Sequence, residues 1–194
     1  MRGAWVIEIG SVVGSWRVEA HVGSGGMAEV YRVRHVVLES VHALKVLRPE
    51  LTVHAEVRRR FLQEGQLQAR LRHPHLPLVT DVVAEAGIAA LVMEFLPGGS
   101  LDERLAVRGA MAWQEAVALL DRVLGALALL HREGIVHRDL KPANILFRDG
   151  GWEQPVVVDL GVARVLEVEE AKRTRTGVVI GTPAYMSPEQ VLGR

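Results

Sequence analysis

Between His137 and Leu146 the chain reads HRDLKPANIL. Asp139 and Asn144 stand five residues apart, with the basic residues Arg138 and Lys141 on either side of the aspartate. Pro142 fixes its own φ and lacks an N–H, so the stretch is predicted as a shaped loop rather than a helix. Ile145, Leu146 and Phe147 then read as a short buried strand that anchors it. A carboxylate, a carboxamide and an ammonium on one rigid turn suit phosphoryl transfer. The carboxylate can accept a hydroxyl proton, the amide oxygen can bind Mg²⁺, and the lysine can neutralise charge on the moving group. A lone His-Arg-Asp would read as a polar surface turn with incidental charges.

The full string resembles the catalytic loop of protein kinases at six chemically distinct positions. Lys141, two residues after Asp139, looks like the Ser/Thr-specific form. The nearer resemblance is to the eukaryotic-like Ser/Thr kinases of bacteria, and it runs from Trp16 to the last residue. It implies an α+β, two-lobed fold: a β-rich N-lobe with one key helix, and a helical C-lobe that is incomplete in this chain. It also implies ATP and Mg²⁺ as cofactors, with Mn²⁺ as an alternative, and proteins bearing Ser or Thr as substrates.

Composition sets wider bounds. At 194 residues the chain is one large domain or two small lobes, able to bury roughly 70% of its unfolded surface. Net charge is zero, with no basic excess to suggest nucleic acid as a partner. The absence of cysteine excludes disulfides, thiolate zinc sites and cysteine nucleophiles, and fits a reducing compartment. The N-terminus lacks the apolar core of a signal peptide. The window Ala116–Leu130 is interrupted by Asp121 and Arg122 and is too short to span a bilayer. A soluble, cytoplasmic protein is expected. Only three residues are lysine, yet two of them, Lys45 and Lys141, fall where a kinase needs a compact ammonium.

The elements that must position these groups follow in order. Residues 1–15 read as an N-terminal extension and 16–96 as an N-lobe. Trp16–Val22 is predicted as a strand, running into GSGGMAEVY, and Val30–Val33 as a second. Gly23 and Gly25 let backbone N–H groups approach phosphate oxygens closely. A Walker A loop would need Gly-Lys-Ser/Thr, which is absent. A dinucleotide fingerprint would need an acidic residue about 20 positions on, where Lys45 stands instead. The strand–loop–strand reading matches the kinase glycine-rich loop, with Ala28 where the family usually has its third glycine. Val41–Leu47 is predicted as a third strand that strands Lys45 in an apolar run. A helix is expected over Val53–Leu71, with Val57, Phe61, Leu67 and Leu71 on its apolar stripe and Glu64 lying on that stripe. The two stranded charges can satisfy each other, as the lysine–glutamate pair of kinases does. His73 and His75 read as structural. Ile88–Phe95 is predicted as a strand, and Ser100 as a helix N-cap after the Pro97-Gly98-Gly99 turn. By resemblance, Met93 lies behind the adenine and the backbone of Glu94 and Leu96 bonds it. Val22, Gly23, Ser24, Gly25, Gly26, Val30, Ala43 and Leu146 complete the nucleotide site.

Residues 97–194 read as a partial C-lobe. A helix is predicted over Trp113–Glu133, with Val117, Leu120, Leu124, Leu127 and Leu130 on one face and Gly134 as its stop. His137 is expected to pack under the loop rather than act as a base. Val156–Val158 reads as a strand ending in Asp159-Leu160-Gly161, where Asp159 would share Mg²⁺ with Asn144. Thr174 and Thr176 resemble autophosphorylation sites that Arg138 could capture. Thr182 would orient the catalytic loop, and Glu189 belongs to the substrate-docking segment. The resemblance ordinarily continues through further helices, so the chain is expected to be either an excerpt of a longer protein or a truncated product. Apolar surface left uncovered on the long helix would favour self-association. The function expected is Ser/Thr protein phosphorylation, with Asp139, Lys141, Asn144, Lys45 and Glu64 catalytic. The rival is an inactive nucleotide-binding or interaction fragment, and a dehydrogenase is a distant third.

Overall fold

The structure, a computed structural model, describes residues 7–85, 87–160 and 183–191. The chain divides into two compact units, Met1–Arg72 with Leu78–Phe95, and His73–Pro77 with Leu96–Arg194.

The first unit is built on a six-stranded sheet. Its strands are β1 (Val12–Val13), β2 (Trp16–Ser24), β3 (Ala28–His35), β4 (Val41–Leu47), β5 (Val79–Val83) and β6 (Ala90–Glu94), in the order β1-β2-β3-β4-β6-β5. Every pairing is antiparallel. Opposed residues share a face, so the register sorts the side chains. Tyr31 faces Leu44, which faces Val92, and Val46 faces Ala90. These join Trp16, Val18 and Val33 in one buried cluster. The alternate residues, Val30 opposite Lys45 opposite Leu91, and Ala43 opposite Met93, lie on the other face.

One helix stands within 53–71, as expected, though shorter, and a further short helix that was not expected precedes it. The short one, α1, is Pro49–Thr52 and the other, α2, is Ala55–Gln68. Proline opens α1, where its missing N–H costs nothing. The buried side of α2 is Val57, Phe61, Glu64, Gly65 and Gln68. Leu67, assigned to the stripe from sequence, is 36% exposed, because the stripe rotates through the small Gly65 instead. A Cβ on Gly65 would lie 2.2 Å from Leu91 Cδ2, so the glycine sets how closely α2 meets β6.

In the second unit, α3 (Leu101–Arg108) starts with a capping box. The Glu103 N–H donates to Ser100 Oγ, and the Ser100 N–H donates to the Glu103 carboxylate. The long helix α4 (Trp113–Arg132) ends in a Schellman turn at Gly134, whose φ is +73°. Ile135 N–H donates to the Leu130 carbonyl and Gly134 N–H to that of His131. The face of α4 differs from the predicted one. Leu119, Val123, Ala126 and Leu130 are buried, while Val117, Leu120 and Leu124 are exposed. The two apolar stripes are adjacent, and the periodicity of a helix apolar on nearly all sides could not choose between them. A short ladder of β7 (Ile145–Phe147) and β8 (Pro155–Val157) and a final turn of helix, α5 (Pro188–Val191), complete the described elements. His73 and His75 are structural, as expected. The His73 ring accepts from the His75 N–H, and the His75 ring bonds the Pro155 carbonyl. No helix of the described residues is long and apolar enough to cross a membrane.

Candidate active site

In the first unit the site-forming residues come from one face of the sheet and the hairpin above it. Leu91, directly opposite Lys45, is the side chain that Gly65 of α2 packs upon. Lys45 therefore projects into the layer between sheet and helix, the layer into which the adjacent Glu64, 5% exposed, is also turned. Val30 and Ala43, also assigned to the nucleotide from sequence, share that sheet face with Lys45 and Met93. Glu94 closes onto β5: its N–H donates to the Leu78 carbonyl, and its carboxylate accepts from the Leu78 N–H.

The glycine-rich hairpin is held by a residue that the sequence reading passed over. Glu29 accepts from Ser24 Oγ at 2.6 Å, bonds His21 Nε2 at 2.8 Å and pairs with Arg48 Nη2 at 3.0 Å. The hydrogen bond from Ser24, followed by that from His21, holds the Glu29 carboxyl below its ordinary value. Across the tip, Gly25 N–H donates to the Ala28 carbonyl. Val22 is 52% exposed on β2. The signal for Glu29 was its cross-strand register with Ser24, which period-2 counting through a bulged hairpin does not reveal.

In the second unit the HRDLKPANIL stretch is a loop, as expected, closed by a 3₁₀ turn at Pro142–Asn144, so the proline starts one turn of helix where none was expected. Asn144 is 7% exposed. Its Nδ2 donates to the Asp139 carbonyl at 2.8 Å and to Asp139 Oδ2 at 3.1 Å. Lys141 Nζ lies 3.2 Å from the same Oδ2. The ladder then does the positioning. Ile145 pairs with Val157, and Val158 N–H donates to the Asn144 carbonyl, which leaves Asn144 and Asp159 at the same end of the hairpin. Asp159 has a φ of +59° and Arg138 one of +61°. Left-handed backbone at non-glycine residues is uncommon and gathers at functional sites.

His137, 3% exposed, ties these parts together. Its Nε2 donates to the Val158 carbonyl at 3.0 Å, and its Nδ1 accepts from the Asp139 N–H at 3.3 Å. Burial pushes its pKa down, opposed by the Val158 carbonyl and by the charges of Asp139 and Asp159. A neutral Nε2–H tautomer satisfies both bonds.

Arg104 was also missed. Its guanidinium donates to the carbonyls of Gly98, Gly151 and Asp149 and lies 3.7 Å from the centroid of the Phe147 ring. It thereby fastens β7, which also exchanges backbone hydrogen bonds with Gly98 and Gly99. Leu146 sits in the middle of β7, and Leu96 is half-buried at the start of this unit's second segment. Glu189 is exposed and held below its ordinary value by a hydrogen bond from Ser187. Gly161, Thr174, Thr176 and Thr182 lie outside the described residues.

A lysine on a sheet opposite a buried helical glutamate, and an aspartate bonded to a lysine and an asparagine on one loop, define the protein-kinase class. The chain belongs to that family: residues 16–194 match the description "Protein kinase domain". Among its relatives, the Ser/Thr-protein kinase pkn2 of Myxococcus xanthus is 40% identical over 93% of this chain and 22% of its own length. PknL of Mycobacterium tuberculosis, also a Ser/Thr-protein kinase, is 43% identical over 90% of this chain. The chain spans 43% of PknL. The crystal structure of the Mycobacterium tuberculosis PknI kinase domain is similar with a TM-score of 0.69 and 32% identity. That match covers 81% of this chain and 64% of that one. The family uses ATP with a divalent metal and acts on proteins.

Proposed function

We propose that this chain is the catalytic region of a Ser/Thr protein kinase, moving the γ-phosphoryl group of Mg·ATP to a protein hydroxyl. The observation that carries the reading is the loop constellation, in which one carboxylate oxygen of Asp139 is held by both Lys141 and Asn144. The carboxylate so held accepts or orients the proton of the incoming hydroxyl as the hydroxyl oxygen attacks phosphorus. Lys141 neutralises charge on the transferring group. Residues 16–96 bind the nucleotide. Lys45, steadied by Glu64, holds its phosphates, Gly23–Gly26 cover them, and Ala43, Val30 and Met93 line the base. The backbone of Glu94 and Leu96 bonds its edge.

The donor set fits a hard divalent cation. With its nitrogen committed to Asp139, the Asn144 amide presents its oxygen, and Asp159 at the same hairpin end adds a carboxylate. Mg²⁺ there, or Mn²⁺ in its place, supplies charge neutralisation on the phosphates. Residues 97–194 carry transfer and its control. Thr174 and Thr176 are autophosphorylation sites read by Arg138, while Thr182 and Glu189 serve the docking segment. The kinase acts in the cytoplasm.

The test is incubation of the chain with Mg·ATP and a generic basic protein. The expected result is phosphate on serine or threonine of that protein and, by peptide mapping, on Thr174 or Thr176. Binding of Mg·ATP without any transfer would replace this reading by that of a non-catalytic nucleotide-binding fragment. Phosphate found only elsewhere on the chain would retire the two threonines.

A further inference from the structure

The left-handed φ at Arg138 sits immediately before Asp139 and calls for something that holds it. The peptide linking these residues is a rigid plane, with the Arg138 carbonyl and the Asp139 N–H at opposite edges. The N–H edge is pinned by His137, through its carbonyl at 2.9 Å and its ring Nδ1 at 3.3 Å. The carbonyl edge is pinned by a residue far along the chain: Gln190 Nε2 donates to the Arg138 carbonyl at 2.6 Å. The other atom of the same amide is also in use, because Gln190 Oε1 accepts from the Ser187 N–H at 3.1 Å.

We propose that Gln190 is a positioning residue for phosphoryl transfer, locking the peptide plane ahead of Asp139 through its bond to the Arg138 carbonyl. This rests on the kinase reading above. Left to itself, a non-glycine residue at a φ of +61° relaxes toward negative φ. That relaxation turns the 138–139 plane and swings the Asp139 carboxylate away from the place where Lys141 and Asn144 hold it. Gln190 opposes the turn from the side that His137 does not reach. Because Ser187 holds the same carboxamide, the short helix α5 and the catalytic loop are joined through one side chain. A glutamine can serve both ends at once, having a donor and an acceptor on one planar group. No isosteric residue has both.

Gln190→Glu is the decisive variant. It keeps the shape and the acceptor for Ser187, deletes the donor, and sets a carboxylate against a carbonyl. The expected result is a fall in kcat of about tenfold, the loss of about one hydrogen bond. KM for Mg·ATP should stay unchanged, and backbone amide exchange should be faster across 137–140 but not in strands β3 and β4. Gln190→Ala should match it in kcat. If Gln190→Glu has wild-type kcat and only Gln190→Ala is impaired, the glutamine merely caps α5 and the proposal is overturned. Amide exchange gives a readout that does not need activity, so unchanged exchange at 137–140 in Gln190→Glu overturns it equally. A wild-type chain that binds no Mg·ATP would instead overturn the kinase reading.

Discussion

The two units place their chemistry by different means. In the first, backbone register does it: Lys45, Val30, Ala43 and Met93 share a face because the sheet alternates, and the opposite face is sealed by its own apolar cluster. In the second, side chains hold backbone. His137, Asn144, Arg104 and Gln190 each grip main-chain atoms, and two non-glycine residues take left-handed φ. A sheet tolerates the loss of one side chain because its ladder persists. A loop held by single side chains does not.

The sharpest contrast is between Asp139→Asn and Lys45→Met. Asp139→Asn is expected to lower kcat by about 10²–10⁴-fold, the usual worth of a positioned acid or base, with the Kd for ATP unchanged. Lys45→Met should also remove phosphotransfer while leaving the fold, but with weakened ATP binding. Calorimetric titration beside a transfer assay separates the two. Equal effects on ATP binding would erase the division of labour, and full activity in Lys45→Met would show that its role is misassigned.

Next in size is Gly65→Ala. It forces a methyl against Leu91 and should cost about 1–3 kcal/mol by denaturant unfolding, as overpacking does. Leu91→Val in the same chain should recover part of that loss. A neutral Gly65→Ala would mean that α2 is free to shift and that the register of Lys45 with Glu64 is loosely kept.

The third prediction concerns pH. The His137 pKa lies below its ordinary 6.5 because the folded protein buries the imidazole. As pH falls, the unfolded chain takes up this proton first, so stability is full above the unfolded value and declines below it. The slope is up to about 1.4 kcal/mol per pH unit for one proton. Thermal unfolding from pH 7.5 to 5 should show it, and His137→Asn should flatten that arm. An equally steep arm in the variant would assign the effect to other groups. The smallest effect is Ser100→Ala, expected to cost about 1 kcal/mol by loss of the α3 cap.

What could be read beforehand follows the same division. The strand Val41–Leu47 was legible to the residue, because a short apolar run interrupted by only two polar residues, His42 and Lys45, marks it. Asp139, Lys141 and Asn144 were legible because six positions matched one loop in register. Ser100 and Gly134 were legible as caps, since cap chemistry is local. Arg104, Glu29 and Gln190 were not. Each acts on backbone or side chains brought near only by folding, and an arginine, a glutamate or a glutamine looks the same in sequence whether it grips a carbonyl or faces solvent. The buried side of α4 was misread for a related reason. Two neighbouring leucine-rich stripes fit the helical period equally, and only the packed partner decides between them.

The ladder that carries Asn144 has just three rungs, Ile145 with Val157, Leu146 with Val156, and Phe147 with Pro155. Phe147, Val156 and Val157 are wholly sealed from solvent. So small a brace has no slack, and a changed atom within it is felt at the reacting centre before anywhere else. Substitution at any of these six residues is therefore transmitted straight to the end of the hairpin that carries Asn144 and Asp159.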